Sequence, residues 1–271
     1  MQSRELTYES LNSLPIWAAM ATITLDEMRG VKLMNRIDTK YVVSEEEVVK
    51  LLEKMAECGY RVQVINGVRA CRYDTLYYDT AERDMYIAHH NRQLTRQKIR
   101  TRHYEDGSAC YLEVKNKNNR GRTKKVRIEI PQSGLMSLDS VEAATFLSAQ
   151  SRYEISTLSP ALSTRFVRIT VVNPKLTERI TIDLDLEYCD LRNARSAKIE
   201  GMSIVEIKQD GNIPSMAKEI LLGLRVKPMR ISKYCLGTAL TVEGIKRNRM
   251  LQKMRNIEKR IGYNKIVINN L

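Results

Sequence analysis

Lys98, Arg100 and Arg102 occupy alternate positions in the run Lys98-Ile99-Arg100-Thr101-Arg102. In an extended segment alternate side chains share a face, so this spacing lines three cations in one row. The pattern recurs. Glu113 and Lys115 stand opposite Leu112 and Val114, and Lys125, Arg127 and Glu129 stand opposite Val126, Ile128 and Ile130. From Arg179 to Glu187 the charged or polar positions Arg179, Thr181, Asp183, Asp185 and Glu187 again alternate with Ile and Leu, and Val205-Glu206-Ile207-Lys208 repeats the arrangement. Rows of guanidinium and ammonium groups suit phosphate oxygens, which they hold by charge-assisted hydrogen bonds. A carboxylate set among them has two roles: pairing with a base, or offering a hard oxygen to a divalent cation. A metal that bridges phosphate oxygens is how phosphoryl transfer commonly manages its charge.

A single strand of this kind reads as half of a sheet with its charged face in water. Five of them, dominated by Arg and Lys rather than by Thr, Ser, Gln and Asn, point elsewhere. If the sheet closes, the charged faces line a lumen and the apolar faces pack against outer helices. An eight-stranded barrel is about wide enough for one small ligand. Stacked like charges would destabilise such a pore, and a bound polyanion would relieve the repulsion.

The elements needed are present in the pattern. Pro15 opens an expected helix through Ile16 to Met20 that ends near Gly30. A strand follows over Arg36 to Val43. Ser44 and Glu47 then form a capping-box signal for a helix running to Gly59, with Val48, Leu51, Leu52 and Met55 on one side. Strands are expected over Arg72 to Tyr78, Gln93 to Tyr104, Ala109 to Lys115, Thr123 to Ile130, Ser163 to Val172, Leu176 to Tyr188 and Ser203 to Lys208. A hairpin turn lies at Glu105-Asp106-Gly107-Ser108 and another at Asn173-Pro174. Helical pieces are expected over Glu82 to His90, from Asp139 as a cap through Phe146, over Ser215 to Leu222, from Ser232 onward, and over Ile245 to Ile261. The fold class that follows is α+β: a closed antiparallel barrel of about eight strands with helices outside. It divides into a helical extension at 1–30, a tunnel domain at 31–240 and a basic C-terminal helix and tail at 241–271.

Composition narrows the partner. The 271 residues carry 45 Lys and Arg against 32 Asp and Glu, a net charge of +13. That excess calls for an anionic partner: nucleic acid, an acidic membrane surface or a phosphorylated ligand. The aromatic set is 13 Tyr, two Phe and one Trp. Its tyrosines sit mostly beside apolar or acidic strand residues, as in Tyr77-Tyr78-Asp79, which reads as wall or core rather than as base-stacking platforms. Nucleic acid is therefore not the expected partner. Cys58, Cys71, Cys110, Cys189 and Cys235 are scattered without a C-x-x-C pair, which excludes a zinc knuckle and a disulfide framework. No signal-type start and no run of about 20 apolar residues occurs. A cytoplasmic protein with reduced thiols is the expectation.

Several of these pieces, in order, resemble one family. Arg36-Ile-Asp38-Thr-Lys40-Tyr41, Leu76-Tyr-Tyr-Asp79-Thr80, Lys98-Ile-Arg100-Thr-Arg102, Leu112-Glu113-Val-Lys115, Arg179-Ile-Thr-Ile-Asp183, Val205-Glu206-Ile-Lys208 and Ser232-Lys233-Tyr234 are similar to the CYTH, or triphosphate tunnel metalloenzyme, superfamily. More closely they resemble the VTC domain of polyphosphate polymerases, over about Arg36 to Gly237. The resemblance implies transfer of the γ-phosphate of ATP onto a growing inorganic polyphosphate inside the tunnel, helped by Mn²⁺ or Mg²⁺. It implies phosphate contacts from Arg36, Lys40, Arg100, Arg102, Lys115, Lys125, Arg127, Arg168, Arg179, Lys208, Arg230, Ser232 and Lys233. Lys233, with Arg100 and Arg102, would serve the transfer step. Glu206 would be the main metal ligand, with Glu113 beside it.

One departure is informative. Tunnel triphosphatases and CYTH-type cyclases open on Glu-x-Glu-x-Lys, and here those places hold Arg36, Asp38 and Lys40. An Arg in place of the first carboxylate removes a metal ligand and adds a phosphate contact. A tunnel-type triphosphatase and a non-catalytic polyphosphate-binding module are the alternatives. The resemblance also leaves room for a membrane-protein partner that brings the chain to a membrane.

Other residues read more plainly. His89, His90 and His103 lack the carboxylate spacing of a metal site. Asp79-Thr80 reads as a turn that caps the next helix, and Asp183 and Asp185 as partners of bases, with metal ligation the alternative. The segment Lys246-Arg247-Asn248-Arg249 is a solvated basic face or a dock for an acidic membrane or protein. No Gly-rich phosphate loop occurs, so side chains must hold any nucleotide.

Overall fold

The structure, a computed structural model, describes residues 6–31 and 36–270. In chain order its elements are α1 (Tyr8–Asn12), β1 (Thr22–Ile23), β2 (Arg36–Ser44), α2 (Glu45–Glu57), β3 (Arg61–Gln63), β4 (Ala70–Asp79), α3 (Asp84–His90), β5 (Arg96–Tyr104), β6 (Ala109–Lys117), β7 (Thr123–Glu129) and α4 (Val141–Gln150). There follow β8 (Ser159–Val172), β9 (Glu178–Asp190), β10 (Arg195–Ile199), β11 (Met202–Asp210), α5 (Met216–Gly223), α6 (Lys233–Thr241), α7 (Asn248–Ile261) and β12 (Ile266–Asn270).

Hydrogen bonds run β2-β11-β9-β8-β4-β5-β6-β7, antiparallel throughout. β10 and β12 branch from the far half of β9, and β3 joins β8 with β1 parallel to it. The sheet curls strongly but does not close, which corrects the expected barrel. No ladder joins β7 to β2 among the described residues. The outer edge of β2 is already occupied: the Met229 N–H donates to the Lys40 carbonyl at 2.8 Å, and Tyr41 bridges Pro228. That contact takes the middle of the β2 edge, where a ladder from β7 would have to run. The result is a half-barrel, a deep trough with β2 and β7 as its two lips.

The outer faces follow the alternation. Tyr41, Val43, Val167, Ile169, Ile180, Ile182, Val205 and Ile207 pack beneath α2 and α5. α2 starts as its sequence requires, with the Ser44 hydroxyl accepting from the Glu47 N–H and the Glu47 carboxylate accepting from the Ser44 N–H. Its Val48, Leu51, Leu52 and Met55 are wholly buried, each worth about 1.5–3 kcal/mol relative to exposure. A second cluster gathers α3, α6 and α7 around Tyr86, Tyr188, Leu236, Met250, Met254 and Ile257. The basic helix α7 thus docks its apolar side into the core and turns only its other side outward.

Elsewhere the structure departs from the sequence pattern. The Pro15 segment forms a single short turn, Pro15–Ala18, rather than a helix reaching Gly30. Leu11 and Trp17 anchor this region in the core beside α2. α4 is capped by Ser140, whose hydroxyl accepts from Ala143 N–H, and not by Asp139. The five cysteines are free thiols. No helix among the described residues is long and apolar enough to cross a membrane.

The charged row from Arg179 to Glu187 is also interrupted. Asp185 adopts φ 48°, and the β8–β9 register shifts between Arg165 and Val167. This bulge flips the alternation. Ile180, Ile182 and Leu184 face α2 and α5, whereas Leu186 and Tyr188 face α6. Asp183 stays in the trough, Asp185 turns to Lys198 on β10 at 2.7 Å, and Glu187 is exposed.

Candidate functional site

Charge is buried along the floor of the trough. Arg100 and Arg102 are 8% and 6% exposed, and Glu113 is 0% exposed. Ionised groups are almost never that buried without partners. On the β5–β6 ladder Arg100 stands opposite Glu113. Its Nε and Nη2 both donate to Glu113 Oε2, at 2.7 and 2.5 Å, while Lys125 Nζ from β7 donates to Oε1 at 2.6 Å. Burial opposes ionisation of Glu113, but Arg100, Arg102 and Lys125 outweigh it and hold its pKa far below the carboxylate range. Arg102 finds no carboxylate; its Nε donates to Thr75 Oγ1 at 3.0 Å.

A second clamp lies on β8 and β9. Arg168 grips Asp183 with two parallel bonds, Nε to Oδ1 at 2.6 Å and Nη2 to Oδ2 at 2.9 Å. Lys233 Nζ also donates to Asp183 Oδ2 and sits 3.2 Å from the centroid of the Phe166 ring. Burial drives the Lys233 ammonium pKa well down, and Asp183 opposes that shift without cancelling it. Lys233 is the first residue of α6, and the Ser232 hydroxyl caps that helix through Cys235 N–H. α6 can lie this close to the sheet because residue 237 is Gly. A Cβ there would come 2.5 Å from Tyr188 Cδ1 and 2.7 Å from Leu162 Cδ2.

The third group lies on β11 and β2. Glu206 meets Lys208 at 2.7 Å and Lys40 at 3.6 Å. Burial resists its ionisation, yet Lys208, Lys40 and Lys115 together keep it ionised well below the usual pKa. Lys115 belongs to β6, on the opposite limb, so the curl brings the two limbs into electrostatic reach. Arg100 and then burial push the Lys115 pKa well down. Segment 231–232 spans the same gap: Lys98 Nζ on β5 donates to Ser232 Oγ at 2.7 Å, and Lys40 Nζ on β2 lies 3.5 Å from the Ile231 carbonyl.

The remaining expected phosphate contacts lie toward the lips. Arg36 pairs with its neighbour Asp38 at 2.7 Å, with both side chains more than 30% exposed. Arg179 lies opposite Lys208 on the ladder and is half-buried. Lys125 is 37% exposed despite its bond to Glu113. Arg127 is exposed and sits over the Tyr111 ring, 4.1 Å from its centroid. Arg230 is exposed beside Ser232.

Sequence reasoning missed the charge around two wall tyrosines. Tyr77 is buried in the core, as the Tyr77-Tyr78-Asp79 run suggests, and Tyr104 packs against it, but both phenols lie among bases. Burial raises the pKa of each, but Arg100 and Lys98 pull Tyr77 below its ordinary value and Arg102 does the same for Tyr104. The strand parity of both residues was the available signal. Asp79 does cap the next helix, accepting from Met85 N–H at 2.9 Å and Tyr86 N–H at 3.0 Å. It also accepts from the Tyr234 hydroxyl, and Tyr234 stacks on Tyr77 with centroids 4.9 Å apart. This contact ties the start of α6, and so Lys233, to β4. The histidines supply no metal site: His90 bonds Asn248 at 2.7 Å, and no group of three or more His, Cys, Asp or Glu among the described residues could hold an ion.

The family model for the VTC domain matches residues 35–242. The chain belongs to the VTC domain family. Comparison with curated proteins returns no match. Among solved structures the chain is similar to an adenylyl cyclase candidate from Hippeastrum described as showing a dominant triphosphatase activity. That pair has a TM-score of 0.50 and 13% identity, covering 77% of this chain and 98% of the other. A cyclase candidate from Bacillus halodurans is similar at a TM-score of 0.49 and 16% identity, over 73% of this chain and 96% of the other. The VTC domain here thus shares its fold with the Hippeastrum protein.

Proposed function

We propose that this VTC domain is a polyphosphate polymerase that transfers the γ-phosphate of ATP to the end of an inorganic polyphosphate chain. The observation that carries this reading is the trough floor. Lys98, Arg102 and Lys115 have no carboxylate within ion-pair distance among the described residues, while Arg100, Arg168 and Lys233 are held in place by Glu113 and Asp183. Rigid, partly desolvated cations along one line suit a linear polyanion.

In the transfer, a terminal oxygen of the acceptor chain bonds to the γ-phosphorus. The bond from that phosphorus to the β–γ bridging oxygen breaks, and ADP leaves with the electron pair. Arg100, Arg168 and Lys233 would share the charge on the equatorial oxygens. Their clamps fix them beforehand, so little reorganisation is needed at that moment.

A divalent ion would be held by Glu206, whose Oε1 is only loosely engaged by Lys40 at 3.6 Å while Lys208 holds Oε2 at 2.7 Å, with phosphate oxygens supplying the further ligands. Both oxygens of Glu113 are engaged by Arg100 and Lys125, so Glu113 serves as a clamp in this proposal. Bound Mn²⁺ or Mg²⁺ would supply charge neutralisation on phosphate oxygens. Asp38 is taken up by Arg36, which weakens the case for a hydrolase with a metal on its first strand.

Purified protein given ATP and Mn²⁺ should produce ADP and long polyphosphate visible on a stained gel. Free phosphate as the sole product would replace this reading with the triphosphatase. Tight polyphosphate binding without turnover would replace it with a binding module. In a cell the product could pass to a membrane-protein partner.

A further inference from the structure

We propose that Tyr104, Tyr111 and Arg127 form a stacking platform for the base of the donor nucleotide at one end of the trough. The proposal rests on the polymerase reading only in taking a nucleoside triphosphate as donor. Along the lumen face of β5 and β6 the opposed pairs are Lys98 with Lys115, Arg100 with Glu113, Arg102 with Tyr111, and Tyr104 with Ala109. The cation row therefore runs directly into aromatic rings. Tyr104 and Tyr111 lie edge to face, with centroids 5.7 Å apart at 87°, and Tyr73, opposite Tyr104 on the β4–β5 ladder, flanks it at 4.9 Å. Both Tyr104 and Tyr111 are half-buried, so each keeps part of its surface open.

Arg127 completes the corner. Its guanidinium sits over the Tyr111 ring, and the residue is exposed. It makes no ion pair among the described residues, because Glu113, opposite it on the β6–β7 ladder, is already held by Arg100 and Lys125. A guanidinium supported on a ring presents a flat cationic plane, which stacks well on a base. Inorganic phosphate chains have no π face and gain nothing from such rings. The next groups inward are Arg102, then Arg100 opposite Glu113, then Lys98 opposite Lys115, so a base on the platform sends its phosphates down the row. Every base has a π face, so the platform should accept purine nucleotides generally rather than adenine alone.

The test is calorimetric titration with ATP and with inorganic tripolyphosphate. Tyr111→Leu should weaken ATP binding about 10-fold and leave tripolyphosphate binding within about twofold. Arg127→Leu, an exposed change that spares the core, should act in the same direction. GTP should match ATP within a few-fold. If ATP and tripolyphosphate lose affinity together, or neither loses any in the exposed variant, the platform is wrong while the phosphate trough stands. If the unaltered protein binds tripolyphosphate but no nucleotide, the platform is also wrong. If it binds neither ligand, the proposed function fails with it.

Discussion

The floor of the trough and its lips carry the same residue types but treat them differently. On the floor Arg100 and Arg168 are desolvated and each is gripped by a buried carboxylate. At the β2 lip Arg36 pairs with Asp38 in partial contact with water, and at the β7 lip Arg127 has only a ring beneath it. Floor cations are fixed in position and little screened. Lip cations are hydrated and sensitive to salt. Under the proposed function, the contrast separates residues that would stabilise the reaction from residues that would only attract the ligand.

The largest effect expected from breaking this contrast is at Lys233. Lys233→Ala should lower polyphosphate synthesis by about 10²-fold or more, because the contact strengthens in the transition state. Arg168 still satisfies Asp183, so circular dichroism and the unfolding midpoint should change little. A rate within about threefold of the unaltered protein would remove Lys233 from the transfer step.

Next is Lys115, a floor cation without a clamp. Its pKa in the fold lies well below its ordinary value, with Arg100 the first cause. Between that folded value and the unfolded value of about 10.4, the unfolded chain binds more protons, so this lysine makes stability rise with pH. Lys115→Met should flatten the rise of unfolding free energy with pH on the acid side of about pH 10.4, and should be neutral or stabilising by about 1 kcal/mol where the folded lysine is strained. Urea titrations across that range would show it; an unchanged slope would mean that Lys115 is not strained by its neighbours.

The smallest effect belongs to the lip. Arg36→Ala should weaken tripolyphosphate binding by only about two- to fivefold at low salt. The difference should vanish near 1 M salt, where the screening length is about 3 Å. A large, salt-resistant loss would place Arg36 among the floor residues and erase the distinction.

Much of this was legible in the residues. Alternation placed Arg100, Arg102, Lys115 and Lys208 on one surface, and the Ser44–Glu47 box marked the start of α2 correctly. Other features were hidden for identifiable reasons. The bulge at Asp185 has no glycine to announce it, so the charged row seemed to run unbroken. β10 and β12 are short and lie on a side branch where periodicity is weak. Tyr104 and Tyr77 looked apolar because side-chain type does not reveal which neighbours will surround a hydroxyl group.

By itself the sequence determined which side chains share a strand face, because that follows from a two-residue period within one segment. It also determined the excess of cations, and hence the expectation of an anionic ligand. Only the tertiary structure decided that Glu113 and Asp183 serve as clamps, that Lys115 comes within reach of Glu206 on the other limb, and that the sheet stays open. Those outcomes depend on curl, register and the occupation of the β2 edge by Met229, all relations between segments far apart in the chain.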